Sequence, residues 1–125
     1  ASGNVESLAS AIAPEGRLVA YVTREKDRDA LWVRQAAAEM PVAITSAEGG
    51  KITDVAFSPD SGKLYYVLRD ADGATTLYQT GALGGEPRRV ATKVNGEIAV
   101  SPDGTRIAFE GVPGTLMTVP STGGA

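Results

Sequence analysis

The chain contains a motif that occurs three times at nearly equal intervals. In each copy a proline follows a short apolar run and precedes a polar turn and a second apolar run. The prolines are Pro14, Pro59 and Pro102, so the copies are 45 and 43 residues apart. Two apolar runs joined by a turn of this kind predict a β-hairpin. A regular repeat of hairpins restricts the chain to architectures that place equal β-units side by side.

Each predicted hairpin is followed by a third strand. The matched leucines of that strand are Leu31, Leu77 and Leu116. A fourth strand follows the first two copies, at residues 41–45 and 87–91, whereas the third copy reaches residue 125 before one begins. Between the second and third strands the sequence predicts variable loops, at 24–29 and 70–74 in the first two copies.

Four antiparallel strands in about 40–45 residues are the size of one β-propeller blade. We therefore predict an all-β chain, a partial β-propeller of about three four-stranded antiparallel blades, the third lacking its outer strand. The predicted boundaries are an N-terminal segment at 1–7 and blades at 8–46, 47–92 and 93–125. The alternative is a sandwich or meander of about eleven strands, which rarely shows such a repeated turn motif.

The proline turns carry residues with clear roles in turn geometry. Proline presets φ, aspartate bonds nearby backbone N–H groups, and glycine accepts a positive φ. The alternative is a metal or acid–base site, which carboxylates one blade apart are usually too distant to form. We predict structural turns at Pro14, Gly16, Pro59, Asp60, Pro102, Asp103 and Gly104.

The composition removes several kinds of chemistry. The chain has no histidine and no cysteine, so the usual general base and thiol nucleophiles are absent. We predict no catalytic, cofactor-binding or metal-binding residues. The aromatic side chains could form a ligand platform, but their strand alternation favours packing between blades. They are Trp32, Tyr65, Tyr66 and Tyr78.

The charge pattern argues against a nucleic-acid surface. The net charge is −3, and the densest basic group, within residues 24–29, alternates with acids and is typical of a solvated loop. No apolar run approaches the roughly 20 residues that cross a bilayer. We predict a protein partner, no nucleic acid and no membrane insertion by this segment.

The turn motifs at 13–16, 58–61 and 101–104 resemble the Ser-Pro-Asp-Gly repeat of TolB-type propellers. The stretch from Leu31 to Arg88 is also similar to the sensor propellers of bacterial serine/threonine protein kinases. These resemblances imply a TolB-like propeller and a protein-binding module outside the cytoplasm, periplasmic or extracellular. It would be either an interaction domain in its own right or a sensor or gate for a kinase or hydrolase domain on a longer chain.

The third repeat predicts an exposed sheet edge, which is a template for pairing with another chain. We expect the partner to be a protein, and another copy of the chain in particular. Two copies would close a six-bladed ring, or many would form a filament. The segment Ser2–Ser7, which includes Val5, is a candidate strand donor. The candidate interface edge consists of Leu116, Met117, Thr118 and Val119, together with Val5 of the donor segment.

Overall fold

The structure is a computed structural model in which residues 6–38 and 40–123 are described. These residues form three antiparallel sheets, which we call blades 1, 2 and 3. Blade 1 contains β1 (Glu6–Ile12), β2 (Leu18–Glu25), β3 (Arg28–Gln35) and β4 (Val42–Glu48). Blade 2 contains β5 (Lys51–Phe57), β6 (Lys63–Arg69), β7 (Thr75–Gly81) and β8 (Arg88–Thr92). Blade 3 contains β9 (Asn95–Val100), β10 (Arg106–Glu110) and β11 (Leu116–Pro120).

Each blade is a simple meander in which consecutive strands pair. The spatial orders are β1-β2-β3-β4, β5-β6-β7-β8 and β9-β10-β11. Blade 2 lies between the other two, with β5 packed beside both β1 and β9. The prediction of an all-β partial propeller with a three-stranded third blade is therefore confirmed.

The proline turns are held by side chains of the motif itself. The Ser58 hydroxyl donates to the Asp60 carboxylate at 2.7 Å and accepts the Lys63 N–H at 2.9 Å. The same Asp60 oxygen accepts the Gly62 N–H at 2.9 Å. Ser101 and Asp103 repeat this arrangement in blade 3. The Ser-Pro-Asp spacing thus fixes how the first strand of a blade turns into the second.

Apolar side chains fill the two spaces between blades. Every second residue of a strand faces the neighbouring sheet, as the pleat requires. Blades 1 and 2 enclose a core that includes Ala20, Val22, Leu31, Phe57, Leu64 and Tyr66. Blades 2 and 3 enclose a second core that includes Tyr65, Val67, Leu77, Ile98, Ile107 and Phe109.

The region predicted as a variable, solvated loop at residues 24–29 is mostly strand. β2 continues to Glu25 and β3 begins at Arg28, so Lys26 and Asp27 alone form the turn, with Lys26 at φ 56°. Asp29 is only 1% exposed. The loop prediction was wrong here because alternating charges were read as solvated, whereas one of them is buried and fully hydrogen-bonded.

The partners of Asp29 explain its burial. Its carboxylate accepts a hydrogen bond from Nε of Arg24 at 2.7 Å and another from the N–H of Ile52 at 2.9 Å. Ile52 lies in the first strand of blade 2, so this carboxylate ties blade 1 to blade 2. Burial raises the pKa of Asp29, but the hydrogen bonds from Arg24 and Ile52 outweigh burial and lower it below its usual value.

Candidate interaction edge

β11 is the outer strand of blade 3. Within residues 6–38 and 40–123 it pairs with β10 alone, whereas the matching strands β3 and β7 each pair on both sides. The register with β10 runs without a bulge from Arg106↔Pro120 to Glu110↔Leu116. The predicted edge residues therefore lie together on one regular strand with one unpaired side.

The backbone hydrogen bonds next to β11 determine which groups point outward. Gly111 N–H donates to the Thr115 carbonyl at 3.0 Å, and Ser121 N–H donates to the Thr105 carbonyl at 2.8 Å. Hydrogen-bonded pairs alternate along an antiparallel ladder. Met117 and Val119 therefore bond to β10, while the N–H and C=O groups of Leu116 and Thr118 point away from the sheet.

The side chains of the edge are exposed to different degrees. Leu116 is 75% exposed and Met117 is 43% exposed. Leu77, which occupies the position of Leu116 in blade 2, is fully buried. Val119 packs against the core between blades 2 and 3. The strand is thus anchored in the core at Val119, whereas at its other end the apolar side chain of Leu116 is exposed to solvent.

The residues after β11 are attached to blade 2. Nε2 of Gln79 donates to the Ser121 carbonyl at 3.1 Å, and Arg88 donates to the Thr122 carbonyl at 2.9 Å. A Cβ on Gly123 would lie 3.2 Å from the Arg89 carbonyl oxygen, so the chain passes close to β8. These contacts, which the sequence did not reveal, hold β11 in place from outside its own sheet.

The predicted strand donor falls only partly within the described residues. Val5 and the residues before it lie outside them. Glu6 and Ser7 belong to β1, where they pair with Arg24 and Thr23. Both residues are therefore already part of a strand of blade 1.

The turn carboxylates Asp60 and Asp103 line a shallow cavity of about 270 Å³ between blades 2 and 3. Hydrogen bonds lower the pKa of Asp103 to about 2. The largest effect comes from the Ser101 hydroxyl, and the N–H and hydroxyl of Thr105 add to it. The Ser58 hydroxyl and the Gly62 N–H lower the pKa of Asp60 in the same way. Both groups are ionised acceptors of local hydrogen bonds, which suits a turn and makes each a poor proton donor.

Blade 1 has a simpler turn, because Ala13 replaces the serine. Gly16 N–H donates to the Ala13 carbonyl at 2.8 Å, and Gly16 has a φ of 77°.

In the part of the chain that the structure describes, no three acidic side chains are grouped so that they could hold a metal ion. No helix of the described residues is long and apolar enough to cross a membrane.

A family model described as the lipoprotein LpqB β-propeller domain matches residues 1–112. TolB from Acinetobacter baumannii superposes with a TM-score of 0.75 at 23% identity, covering 94% of this chain and 30% of that one. The putative TolB from Agrobacterium tumefaciens gives 0.69 at 18% identity, covering 97% and 44%. An oligogalacturonate lyase in complex with manganese gives 0.73 at 18% identity, covering 97% and 37%. No curated protein matches the chain.

The chain spans less than half the length of each of these three structures. At such identities the likeness to the lyase is one of fold. The TolB-type propeller expected from the Ser-Pro-Asp turns is confirmed by the family match and the two TolB structures. The finer resemblance to kinase sensor propellers stays a prediction.

Proposed function

This chain belongs to the lipoprotein LpqB β-propeller domain family, and from that premise we propose that it is a non-catalytic protein-interaction module. Its binding site is the unpaired side of β11, which accepts an extended strand from a partner protein. Main-chain hydrogen bonds then supply affinity, and the side chains beside the strand supply selectivity.

The observation that carries the proposal is the orientation of the Leu116 and Thr118 peptide groups. Their N–H and C=O groups point away from β10, at the spacing that an added antiparallel or parallel strand requires. Leu116 adds an apolar side chain that is 75% exposed. Pro120 lacks an N–H and ends the edge. The outward groups available to an added strand are therefore those of Leu116 and Thr118.

The chemistry of the polar side chains supports a non-catalytic role. Asp60 and Asp103 are occupied by hydrogen bonds of their own turns. Asp29 is occupied by Arg24 and by the Ile52 N–H. These carboxylates stabilise the turns of blades 2 and 3 and the contact between blades 1 and 2.

We further propose that the module works outside the cytoplasm. The family description names a lipoprotein, and lipoproteins are anchored to membranes by lipid rather than by a spanning helix. A fold of short strands without cysteine has no requirement for a reducing compartment. A protease added to intact cells would digest the domain if it lies on the outer side.

A second candidate is a regulatory propeller on a longer chain, in which the edge of β11 is filled by a later segment of the same polypeptide. The observation that favours it is that this chain covers only 30–44% of the two TolB structures. A kinase or hydrolase domain in the same reading frame would support this candidate. It would make the domain a sensor or gate for that enzyme.

The direct test of the proposed edge is a titration with a strand peptide. The probe is a labelled peptide with the sequence of the outer strand of blade 1, Val42–Glu48. Thr118→Pro removes an outward N–H and leaves the bonds to β10 intact, because proline is tolerated at a strand edge. We expect Thr118→Pro to weaken peptide binding by about tenfold or more.

Met117→Pro is the matched control, because the N–H that it removes lies on the opposite side of β11 from that of Thr118. It removes an N–H that points into the sheet, so we expect it to lower the unfolding midpoint of the domain, whereas Thr118→Pro keeps it. A peptide N-methylated at alternate residues should bind less tightly than the unmodified peptide. The proposal is overturned if the peptide does not bind, or if it binds the wild type and Thr118→Pro equally.

A further inference from the structure

The cavity between blades 2 and 3 has a polar lining that the fold does not require. Tyr65 on β6 and Gln79 on β7 form a cross-strand pair that lines it, and they are 2% and 7% exposed. The matching pair of blade 1 is Ala20 and Val33, both fully buried. Apolar side chains thus fill this position between blades 1 and 2. The polar pair is therefore a property of this cavity and not of the repeat.

Gln79 has an acceptor atom that no described residue uses. Its Nε2 donates to the Tyr65 hydroxyl at 3.2 Å and to the Ser121 carbonyl at 3.1 Å. Because a carbonyl can only accept, this contact fixes which end of the amide is Nε2. No group within residues 6–38 and 40–123 donates to Oε1, although a buried amide oxygen normally has a donor. Oε1 is not sealed from solvent, so it is reached from the cavity that Gln79 lines.

Two carboxylates line the same cavity. Asp60 and Asp103 are exposed, and the turns that carry them touch, since a Cβ on Gly104 would lie 3.2 Å from Cδ of Pro59. The hydrogen bonds from Ser58, Gly62, Ser101 and Thr105 all end on Oδ1 of the two groups. Oδ2 of each carboxylate is therefore left for a ligand. The same bonds lower the pKa of both groups, so both are charged at neutral pH.

These two carboxylates have no close counter-ion. Neither forms a salt bridge with any residue that the structure describes. Lys63 also lines the cavity and helps to lower the pKa of Asp60, but it lies too far away to form an ion pair with it. Two acids and one base therefore line the cavity, and a negative charge remains uncompensated. A ligand with positive charge and several donors would complement it.

The kind and number of open acceptors fit a guanidinium group. A guanidinium is planar, always charged and carries five N–H donors in a fixed fork, so it can reach two carboxylates and an amide oxygen together. The cavity of about 270 Å³ is smaller than the roughly 300–1,000 Å³ of sites for drug-sized ligands, which suits one long side chain. The Pro59 ring offers its methylene stem an apolar contact.

We propose that this cavity binds the guanidinium group of an arginine side chain that a partner protein presents. We call Asp60, Tyr65, Gln79 and Asp103 the Gln79 cleft. Free arginine fits less well, because its own carboxylate would lie near two others. The proposal deepens the interaction role by naming a side chain of the partner, and it rests on that role. It does not depend on strand addition at β11, which uses main-chain groups.

The cavity between blades 1 and 2 is a control within the same chain. It lies at the matching turn, has a volume of about 550 Å³, and is lined by apolar side chains such as Leu83. Glu15 lines it at the repeat position of Asp60. No amide faces this cavity from the position of Gln79, because Val33 stands there. We expect this cavity not to bind a guanidinium group.

Blocked amino acids are the probes that test the Gln79 cleft. N-acetyl-arginine N-methylamide represents an arginine residue of a partner, and the citrulline analogue has nearly the same shape without the charge. The NMR resonances of the Gln79 amide and of the Asp60 and Asp103 carboxyls report binding. We expect a Kd of about 1–10 mM for the arginine probe, because partly solvated ion pairs are weak. The citrulline probe should bind at least about tenfold more weakly, and the lysine analogue more weakly than arginine.

Paired substitutions test the carboxylates. Asp60→Asn with Asp103→Asn removes both charges, while each amide oxygen can still accept the bonds of its turn. We expect this double variant to bind the arginine probe at least about tenfold more weakly. Glu15→Gln with Asp27→Asn removes the same charge elsewhere and should bind like wild type. The unfolding midpoint establishes that both proteins are folded, and the comparison of arginine with citrulline needs only the wild type.

The outcomes separate the cleft from the β11 edge. The proposal is overturned if the arginine probe leaves these resonances unmoved, if the citrulline or lysine analogue binds as tightly, or if the double asparagine variant binds like wild type. Tighter binding of free arginine than of the blocked residue would overturn the assignment to a partner's side chain. The Val42–Glu48 peptide contains no arginine or lysine, so its binding reports on β11 alone. Thr118→Pro should bind the arginine probe like wild type.

Discussion

The carboxylate of Asp54 on β5 accepts the backbone N–H of Ile98 on β9 at 2.8 Å. The contact joins the first strands of two neighbouring blades, where the sheets have no common backbone ladder. Burial raises the pKa of Asp54, the bonds from Ile98 and Val55 counteract this in part, and the nearby charge of Glu97 adds to it. The residue therefore links the blades at the cost of holding a charge in a poorly solvated place.

Substitutions of Asp54 should separate the hydrogen bond from the charge. Asp54→Asn keeps an oxygen that can accept the Ile98 N–H, so we expect its free energy of unfolding at pH 7 to stay within about 1 kcal/mol of wild type. Asp54→Ala leaves that N–H without its acceptor and should be about 1–2 kcal/mol less stable than Asp54→Asn. Urea unfolding of the three proteins measures both differences. Equal stability of the alanine and asparagine variants would contradict this role.

The pH dependence of the same pair has a defined sign. The folded-state pKa of Asp54 is raised above 3.8, so the folded protein binds the proton more tightly than the unfolded chain. Wild type should therefore gain stability relative to Asp54→Asn as the pH falls from neutral through that raised pKa. Unfolding measured from pH 7 towards pH 4 reports the change. A difference that is constant with pH would argue against a raised pKa.

Asp29 should stabilise the folded protein in its ionised form, in contrast to Asp54, because its pKa is lowered. Its carboxylate is 1% exposed and bonds both Arg24 and the Ile52 N–H. We expect Asp29→Ala to lower the free energy of unfolding by about 1–3 kcal/mol, because it leaves the buried Ile52 N–H without its acceptor. The loss of the bond to Arg24, whose side chain is 35% exposed, adds little. Asp27→Ala, two residues away in the exposed turn, is the control and should change stability by less than about 0.5 kcal/mol.

The lowered pKa of Asp29 sets where its contribution disappears. Stability from this group is complete above its ordinary value of 3.8 and is lost as the pH falls through the lowered folded-state pKa. Acid unfolding of wild type should therefore include a loss that Asp29→Ala does not show. An unchanged acid transition in the variant would show that the ionised carboxylate of Asp29 does not stabilise the folded protein.

The sequence predicted the blades because a repeat reports on local geometry. Ser58, Pro59 and Asp60 form their turn through hydrogen bonds within five residues, so their spacing alone indicates the hairpin. Leu31 and Leu77 are both fully buried, as matched positions of a repeat should be. Such features need no knowledge of distant parts of the chain.

The parts that the sequence missed depend on residues far apart in the chain. Asp29 looked solvated because its partner Ile52 is 23 residues away. Gln79 bonds the Ser121 carbonyl across 42 residues, and no local pattern indicates that contact. The direction of the Leu116 and Thr118 peptide groups likewise follows from the hydrogen-bond phase, which only the register with β10 defines.

Ser61 occupies a turn position where the other two repeats have glycine. Its φ is 65°, against 77° at both Gly16 and Gly104, and its hydroxyl oxygen is buried without a hydrogen-bond partner among the described residues. A non-glycine residue is strained in this conformation. We expect Ser61→Gly to raise the free energy of unfolding by about 0.5–1 kcal/mol, as measured in urea.

Glycine substitutions elsewhere provide the matched comparison for Ser61. Gly16→Ser introduces the same backbone strain, with no atom within 4 Å of the new Cβ. It should therefore destabilise the domain by a similar amount. A stabilising Gly16→Ser, or a destabilising Ser61→Gly, would show that these turns do not prefer glycine.

The turn of blade 3 should have a measurable acid titration. The Ser101 hydroxyl and the Thr105 N–H and hydroxyl bring the pKa of Asp103 to about 2. We expect carboxyl NMR to show this low value and Ser101→Ala to move it back towards 3.8, since the first of these bonds is lost. Its stabilising effect should be present above pH 3.8 and disappear towards pH 2. An ordinary pKa in wild type would contradict the turn geometry.

Amide hydrogen exchange along β11 tests the proposed binding edge most directly. In dilute protein, Met117 and Val119 should exchange slowly because their N–H groups bond β10, while Leu116 and Thr118 should exchange rapidly. Adding the Val42–Glu48 peptide should slow Leu116 and Thr118 and leave the other two unchanged. Equal exchange at all four amides, or no slowing of Leu116 and Thr118 by the peptide, would contradict β11 as a strand-binding edge.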